Sequence, residues 1–371
     1  MDILQKIIES AEAQTEELTK IRRDLHKHAE SGWLEMRTTS IIARKLTEMG
    51  YEVLLGDKVC KAESRMGVPS AEALEKGYQR AVEQGGDPEF LPYTKGGMTG
   101  AIAILDCGEG PTVALRFDID ALGVIESDEA DHRPMAEGFA SINYGSMHAC
   151  GHDGHMAILL ELARRLSKKE KLGYNVLLIF QPAEETTGGA KPLCESGIFE
   201  TYHVTAIFGL HLWPGLTAGT VFSRKNELMA RTSELKIDIY GRSSHIAKPQ
   251  EGLDALATGA ALYARARALE ASFPPHIYRL LNFGYFHSGT VRNAVAAHTR
   301  LEGCLRAFQD EVFDGLKQSL FDIATRVEQQ FGCRVEIGLN DGYPAVMNPP
   351  ELVRTVSALV PLAHPGDPSM T

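Results

Sequence analysis

The segment His148-Ala149-Cys150-Gly151-His152-Asp153-Gly154-His155 constrains this chain more than any other. It sets three histidines, a cysteine and an aspartate into one short turn punctuated by glycines. Such a density of soft and borderline donors is costly to fold unless something binds it, and a bound transition metal is the usual occupant. A fold that carries this segment must bring further donors to it from elsewhere in the chain.

The bulk composition permits that. The chain has 371 residues, 44% hydrophobic and 23% charged, an ordinary globular balance with material for about two domains and sizeable cores. Its formal net charge of -11 argues against a nucleic-acid or anionic-membrane partner. The cysteines, Cys60, Cys107, Cys150, Cys194, Cys304 and Cys333, are scattered and form no C-x-x-C pair, which fits a reducing compartment rather than a disulfide scaffold. The start, Met1-Asp2-Ile3-Leu4-Gln5-Lys6, lacks the basic opening and apolar core of a secretory signal. No apolar run has bilayer length. A soluble, cytoplasmic protein is expected.

Periodicity predicts helices to about residue 20, over 21–28, and over 38–49, the last stopped by Gly50. A strand over 51–55 follows. Residues 56–97 read as an insertion, with Pro69-Ser70-Ala71-Glu72 as a capped helix start and a helical run to about residue 82. Strands are expected over 101–105, 112–116, 176–180 and 205–208, with a helix over 156–166. Alternating strands and helices predict a doubly wound α/β domain with a mixed, mostly parallel sheet. Near residue 230 the texture changes. Glu234 to Tyr240 alternates as a half-exposed strand does. A helix over 253–269, strands over 280–286 and 299–306, a helix over 311–330 and a strand over 334–339 complete a β-α-β-β-α-β unit of ferredoxin-like type. A helix restarts at about 349–360. The expected domains are therefore residues 1–228 with 343–371, and an inserted α+β domain over 229–342. There is no internal repeat and no low-complexity tract.

Four patches carry chemistry: Arg116-Phe117-Asp118-Ile119-Asp120-Ala121-Leu122, the turn around Cys150, Gln181-Pro182-Ala183-Glu184-Glu185, and Gly209-Leu210-His211. Three directly follow strands of one sheet, where open α/β sheets place their sites. Thiolate, imidazole and carboxylate together suit zinc or manganese. A Glu-Glu pair divides its work naturally, one carboxylate on metal and one free as a general base. Each residue also has a bland account alone. Glu184-Glu185 is then solvated surface, His211 a core histidine, Asp118 and Asp120 turn formers. Cys150 is then packing, or a nucleophile paired with a nearby histidine. Their joint occurrence near strand ends favours the metal site.

Together, RFDIDAL, MHACGHDGH, QPAEE and GLHLWP resemble the metal-dependent amidohydrolases related to aminoacylase, hippurate hydrolase and the carboxypeptidase G group, over nearly the whole chain. Glu63-Ser64-Arg65-Met66-Gly67-Val68-Pro69-Ser70 and His132-Arg133-Pro134 resemble the branch that acts on p-aminobenzoyl-glutamate. The resemblance implies two divalent metal ions per subunit (Mn2+ or Zn2+), held by Cys150, His152, Glu185 and His211. Glu184 matches the general base, and Asp118 the carboxylate that orients a metal ligand. The inserted domain becomes a dimerisation and lid domain. Its His245 stabilises the oxyanion across a dimer, and Asn293 and Arg306 hold the substrate carboxylate. The bland alternatives are a surface histidine at His245 and a salt-bridged strand residue at Arg306. The implied activity is hydrolysis of N-acyl or N-aroyl amino acids. The implied partners are a small acyl-amino-acid substrate and a second protomer, identical or paralogous. The family carries a further metal-binding histidine near its C-terminus. His364, in Ala363-His364-Pro365-Gly366, does not match that setting. The expectation is a fragment; the alternative is a non-catalytic binding subunit.

Overall fold

A computed structural model describes residues 9–168, 172–186, 188–360 and the backbone of 362–363. The chain divides into two compact units, Met1–Gly215 and Leu216–Thr371.

The first unit is built on a five-stranded sheet. Its strands are β1 (Glu52–Leu54), β2 (Ala101–Leu105), β3 (Thr112–Asp118), β4 (Asn175–Gln181) and β5 (Val204–Gly209), in the order β1-β2-β4-β3-β5. β1–β2 and β2–β4 pair antiparallel, β4–β3 and β3–β5 parallel, so the sheet is mixed, as expected. Helices α1 (Thr15–Lys27), α2 (Met36–Glu48), α3 (Ala71–Glu83) and α4 (His152–Leu166) accompany it. Strand alternation divides the core between the two faces. Ala101, Ala103, Leu178 and Phe180 join Ile42, Leu46, Met156 and Leu160 in one cluster. Ile102, Ile104, Leu177 and Ile179 join Trp33 and Leu193 in the other. A sheet covered on both faces explains the unbroken apolar run of β4.

Local chemistry sets several boundaries. Ser70 Oγ accepts the Ala73 N–H (3.2 Å) and starts α3. Gly50, with φ +87°, ends the α2 segment. Two expectations are revised. The break near residue 20 is absent: α1 runs unbroken from Thr15 to Lys27, because neither glycine nor proline interrupts it. The expected first helix otherwise falls partly in residues 1–8, outside the described residues. The helix expected from 156 starts at His152, because Gly151 takes φ +84° and turns the chain directly into α4.

The second unit holds β6 (Arg231–Tyr240), α5 (Ala255–Ser272), β7 (Arg279–Ser288), β8 (His298–Ala307), α6 (Asp310–Phe331) and β9 (Arg334–Asp341). The order β9-β6-β8-β7, antiparallel throughout, is ferredoxin-like. Leu235, Ile237, Ile239, Leu301 and Leu305 pack one face of this sheet against Leu262, Phe313 and Leu320 of the helices. Asp254 Oδ1 caps α5 at the Ala257 N–H (3.0 Å), and Gly332, with φ +73°, ends α6. A last helix, α7 (Pro350–Leu359), follows. No helix among the described residues is long and apolar enough to cross a membrane.

Candidate metal centre

The parallel trio β4-β3-β5 aligns three of the four patches. Asp118 stands opposite Gln181, and Arg116 opposite Gly209, so the segments that leave these strands emerge at one sheet edge. The N-terminus of α4 supplies the fourth. The ligand atoms of Cys150, His152 and His211 lie within 4.8 Å of one another, as do those of His152, Glu184 and Glu185. Thus Cys150, His152, Glu184, Glu185 and His211, from three separate stretches of sequence, line one centre.

The imidazoles are oriented alike. His152 Nδ1–H donates to the Asp120 carbonyl oxygen (2.8 Å), and His211 Nδ1–H to the Leu212 carbonyl oxygen (2.6 Å). In each ring the Nε2 lone pair is left for another partner, the tautomer that metal-ligating histidines use. His152 Nε2 lies 3.7 Å from Glu185 Oε1. His211 Nε2 lies 3.4 Å from Cys150 Sγ. Among the described residues, His152 Nε2, Glu185 Oε1 and Asp120 Oδ1 are buried with no hydrogen-bond partner. Buried polar atoms without partners are rare and call for an explanation. A divalent cation satisfies lone pairs of this kind, so the residues fit the metal implied by the sequence.

The electrostatics agree. Burial pushes the Asp118 carboxyl up to about 7, against the pull of Arg116 and His152. Burial likewise raises Glu185. At His152 burial opposes the charge, but the Asp120 and Cys150 hydrogen bonds and the nearby aspartates carry it up to about 11. The carboxylates around His152 thus favour positive charge at that ring. Burial pushes His155 down to about 3, helped by His152 and His211.

Asp118 and Asp120 divide their duties. Arg116 Nη2 approaches Asp118 Oδ1 at 2.5 Å. Asp120 offers its carbonyl to His152, and its Oδ2 accepts the Glu185 N–H (2.9 Å). Asp120 therefore orients two candidate ligands at once, a role sequence reasoning missed. His155 was missed too. It stacks on His152 (ring centroids 5.0 Å apart), and its Nε2 accepts the Leu212 N–H (2.8 Å). The signal was available, since residues three apart share a helix face.

The segment around Met66 packs beside the turn that follows Glu185. Trp33 Nε1–H donates to the Met66 carbonyl oxygen (2.7 Å), and a Cβ at Gly188 would stand 2.3 Å from that same oxygen. His132 Nε2 lies 2.9 Å from Glu126 Oε1, which also meets His26 Nε2 at 3.0 Å.

In the second unit, His245 is exposed and bridges to Ala294, and the Ile246 N–H donates to the Asn293 carbonyl oxygen (3.0 Å). The backbone thus pins His245 and Asn293 side by side. His245 Nδ1 accepts the Ala247 N–H (3.2 Å). Arg306 stands on β8 between Thr232 and Leu280. Its guanidinium forms no ion pair among the described residues. His364 lies outside the described residues.

Comparison with known proteins extends the picture. Residues 114–368 match peptidase family M20/M25/M40. One of the subunits of the p-aminobenzoyl-glutamate hydrolase of Escherichia coli is 38% identical over 91% of this chain and 77% of its own length. The indole-3-acetyl-aspartic acid hydrolase of Enterobacter agglomerans is 39% identical over 87% of this chain and 74% of its own length. Among solved structures, the YXEP protein of Bacillus subtilis, described as a dinuclear metal binding peptidase, superposes with a TM-score of 0.69 at 28% identity, covering 94% of this chain and 79% of that one. The aminobenzoyl-glutamate utilization protein of Klebsiella pneumoniae superposes with a TM-score of 0.67 at 31% identity, covering 94% and 81%.

Proposed function

The chain belongs to peptidase family M20/M25/M40 and is a hydrolase, and from that premise we propose that it cleaves the amide bond of N-acyl and N-aroyl amino acids, with p-aminobenzoyl-glutamate, split to p-aminobenzoate and glutamate, as the favoured substrate. The observation that carries this reading is the convergence of Cys150 Sγ, His152 Nε2, Glu185 Oε1 and His211 Nε2 beside Glu184. Two relatives bear names that describe amide conjugates of an aromatic acid with an acidic amino acid, which supports the substrate class.

In this reading Cys150, His152, Glu185 and His211 hold two divalent ions, Mn2+ or Zn2+. Such ions supply Lewis acidity for the scissile carbonyl and make water a better acid. Glu184 takes a proton from the attacking water on its carboxylate and delivers it to the leaving nitrogen. Asp118, beside His152, is the carboxylate that orients this ligand, and Asp120 helps to keep His152 and Glu185 aimed. His245 steadies the oxyanion from a partner protomer, and Asn293 with Arg306 holds the substrate carboxylate, for which a guanidinium offers a two-pronged fork. Arg306 meets no carboxylate of its own chain among the described residues, which leaves it available for this. The proposed domains are residues 1–228 with 343–371 for catalysis and 229–342 as the dimerisation and lid domain. The protein is proposed to work in the cytoplasm as a homodimer or paired with a paralogue.

The test is kcat/KM of the Mn2+- and Zn2+-loaded protein on p-aminobenzoyl-glutamate, indole-3-acetyl-aspartate, hippurate and N-acetyl amino acids. The expected result is fastest cleavage of p-aminobenzoyl-glutamate. Equal cleavage of all four classes replaces it with a general N-acyl-amino-acid amidohydrolase. A folded, metal-loaded protein that cleaves none is a non-catalytic binding protein, and the catalytic reading fails.

A further inference from the structure

Glu184, the proposed base, lacks a hydrogen-bond partner of its own among the described residues. The aim of its carboxylate is therefore set by its backbone. Two buried carboxylates grip that backbone from either side. Asp120 Oδ2 accepts the Glu185 N–H (2.9 Å), and Glu35 Oε1 accepts the Ala183 N–H (2.8 Å).

Glu35 does not serve its own helix. It occupies the N-cap position of α2, yet its side chain caps nothing there. It is fully buried, and its second oxygen accepts the Thr99 hydroxyl (2.8 Å). The residue it holds is unusual. Ala183 is a buried alanine with φ +51°, a left-handed conformation that a side chain disfavours and that persists only where the surroundings impose it. Those surroundings are visible. Gly188 and Gly189 N–H groups donate to the Ala183 carbonyl oxygen (3.0 and 3.1 Å). Gly100, next to Thr99, takes φ +94° and leaves Pro182 so little room that a Cβ would stand 2.7 Å from Pro182 Cδ.

We propose that Glu35 is a positioning residue for hydrolysis: its carboxyl, braced by Thr99, locks Ala183 in the left-handed conformation and so directs the Glu184 carboxylate. The inference rests on Glu184 as the base.

The experiment compares Glu35→Ala, Glu35→Gln and Thr99→Val with the unaltered protein, on p-aminobenzoyl-glutamate after Mn2+ loading. Metal occupancy and melting temperature are measured alongside. Misplacing a catalytic group by about an ångström costs on the order of 100-fold. Glu35→Ala is thus expected to lower kcat by about 30- to 100-fold, with KM and Mn2+ occupancy little changed. Glu35→Gln keeps an acceptor for Ala183 and a polar group for Thr99, and is expected to restore kcat to within about fivefold. Thr99→Val spares the main contact and is expected to cost kcat about three- to fivefold. It serves if Glu35→Ala does not fold. Glu35→Ala is also combined with Glu184→Gln. If Glu35 acts through Glu184, adding Glu35→Ala to Glu184→Gln lowers kcat by less than about threefold more. Unchanged kcat in Glu35→Ala, failure of Glu35→Gln to rescue, or full multiplication of the two losses overturns the positioning role. Normal turnover by Glu184→Gln alone overturns instead the base assignment beneath it.

Discussion

Asp238 in the second unit and Asp118 in the first are both buried aspartates on strands, and they differ in what faces them. Asp238 Oδ1 lies 2.8 Å from Arg300 Nε and 2.8 Å from His298 Nε2. Burial works against its charge, but these two hydrogen bonds outweigh burial and hold the carboxyl below its usual range. At Asp118, burial prevails over Arg116 and His152, and Glu184 and Asp120 push the same way, so the carboxyl rises to about 7. A buried carboxylate is tolerated when cations answer it. The second unit answers its own. The first gathers Asp118, Asp120, Glu184 and Glu185 around buried lone pairs, an arrangement that an added cation completes. A structural ion pair and a ligand-binding centre are told apart by that residual demand.

The sharpest way to break this contrast is Glu184→Gln. Proton transfer contributes typically 100- to 10,000-fold, so kcat is expected to fall about 1,000-fold while metal content stays unchanged. Normal turnover in that variant removes Glu184 from the chemistry. Next in size is Cys150→Ser, which replaces a thiolate by a weaker, harder donor. Metal affinity is expected to fall about 10- to 100-fold, read from occupancy under competition with a chelator. Unchanged occupancy, together with loss of a covalent acyl-enzyme, establishes a thiol nucleophile instead. The smallest effect belongs to the satisfied pair. Asp238→Asn should shift the melting temperature by no more than about 2 °C at pH 7, because Arg300 and His298 are substantially solvated. The sign is fixed by the lowered Asp238 pKa. Its stabilisation is present above the ordinary carboxylate range and is lost as pH falls through the folded-state value. Melting curves from pH 7 down to pH 3 should show Asp238→Asn converging on the unaltered protein at the acid end. A widening gap there reverses the assignment.

Much of this was legible in the chain. Ser70 announced the start of α3 and Gly50 the end of α2, because caps and stops act through neighbouring backbone groups. The sequence of strands and helices in the second unit was readable from residue periodicity. The candidate centre was readable as four patches at strand ends. What escaped has a common character. Glu35 carries no local signal, because its partner Ala183 lies far along the chain and the bond between them exists only once α2 and β4 are packed. Asp120 and Asp118 look alike in RFDIDAL, and only the packed structure shows that Asp120 takes the His152 Nδ1–H on its carbonyl and the Glu185 N–H on its carboxylate.

Sequence alone determined which donors this protein possesses, since side-chain chemistry and short-range caps are properties of residues and their immediate neighbours. Tertiary structure alone decided which lone pairs remain unanswered. That depends on which carbonyl each imidazole finds, on how deeply each carboxylate is desolvated, and on the left-handed turn at Ala183, all of which arise from contacts between segments that the chain order keeps apart.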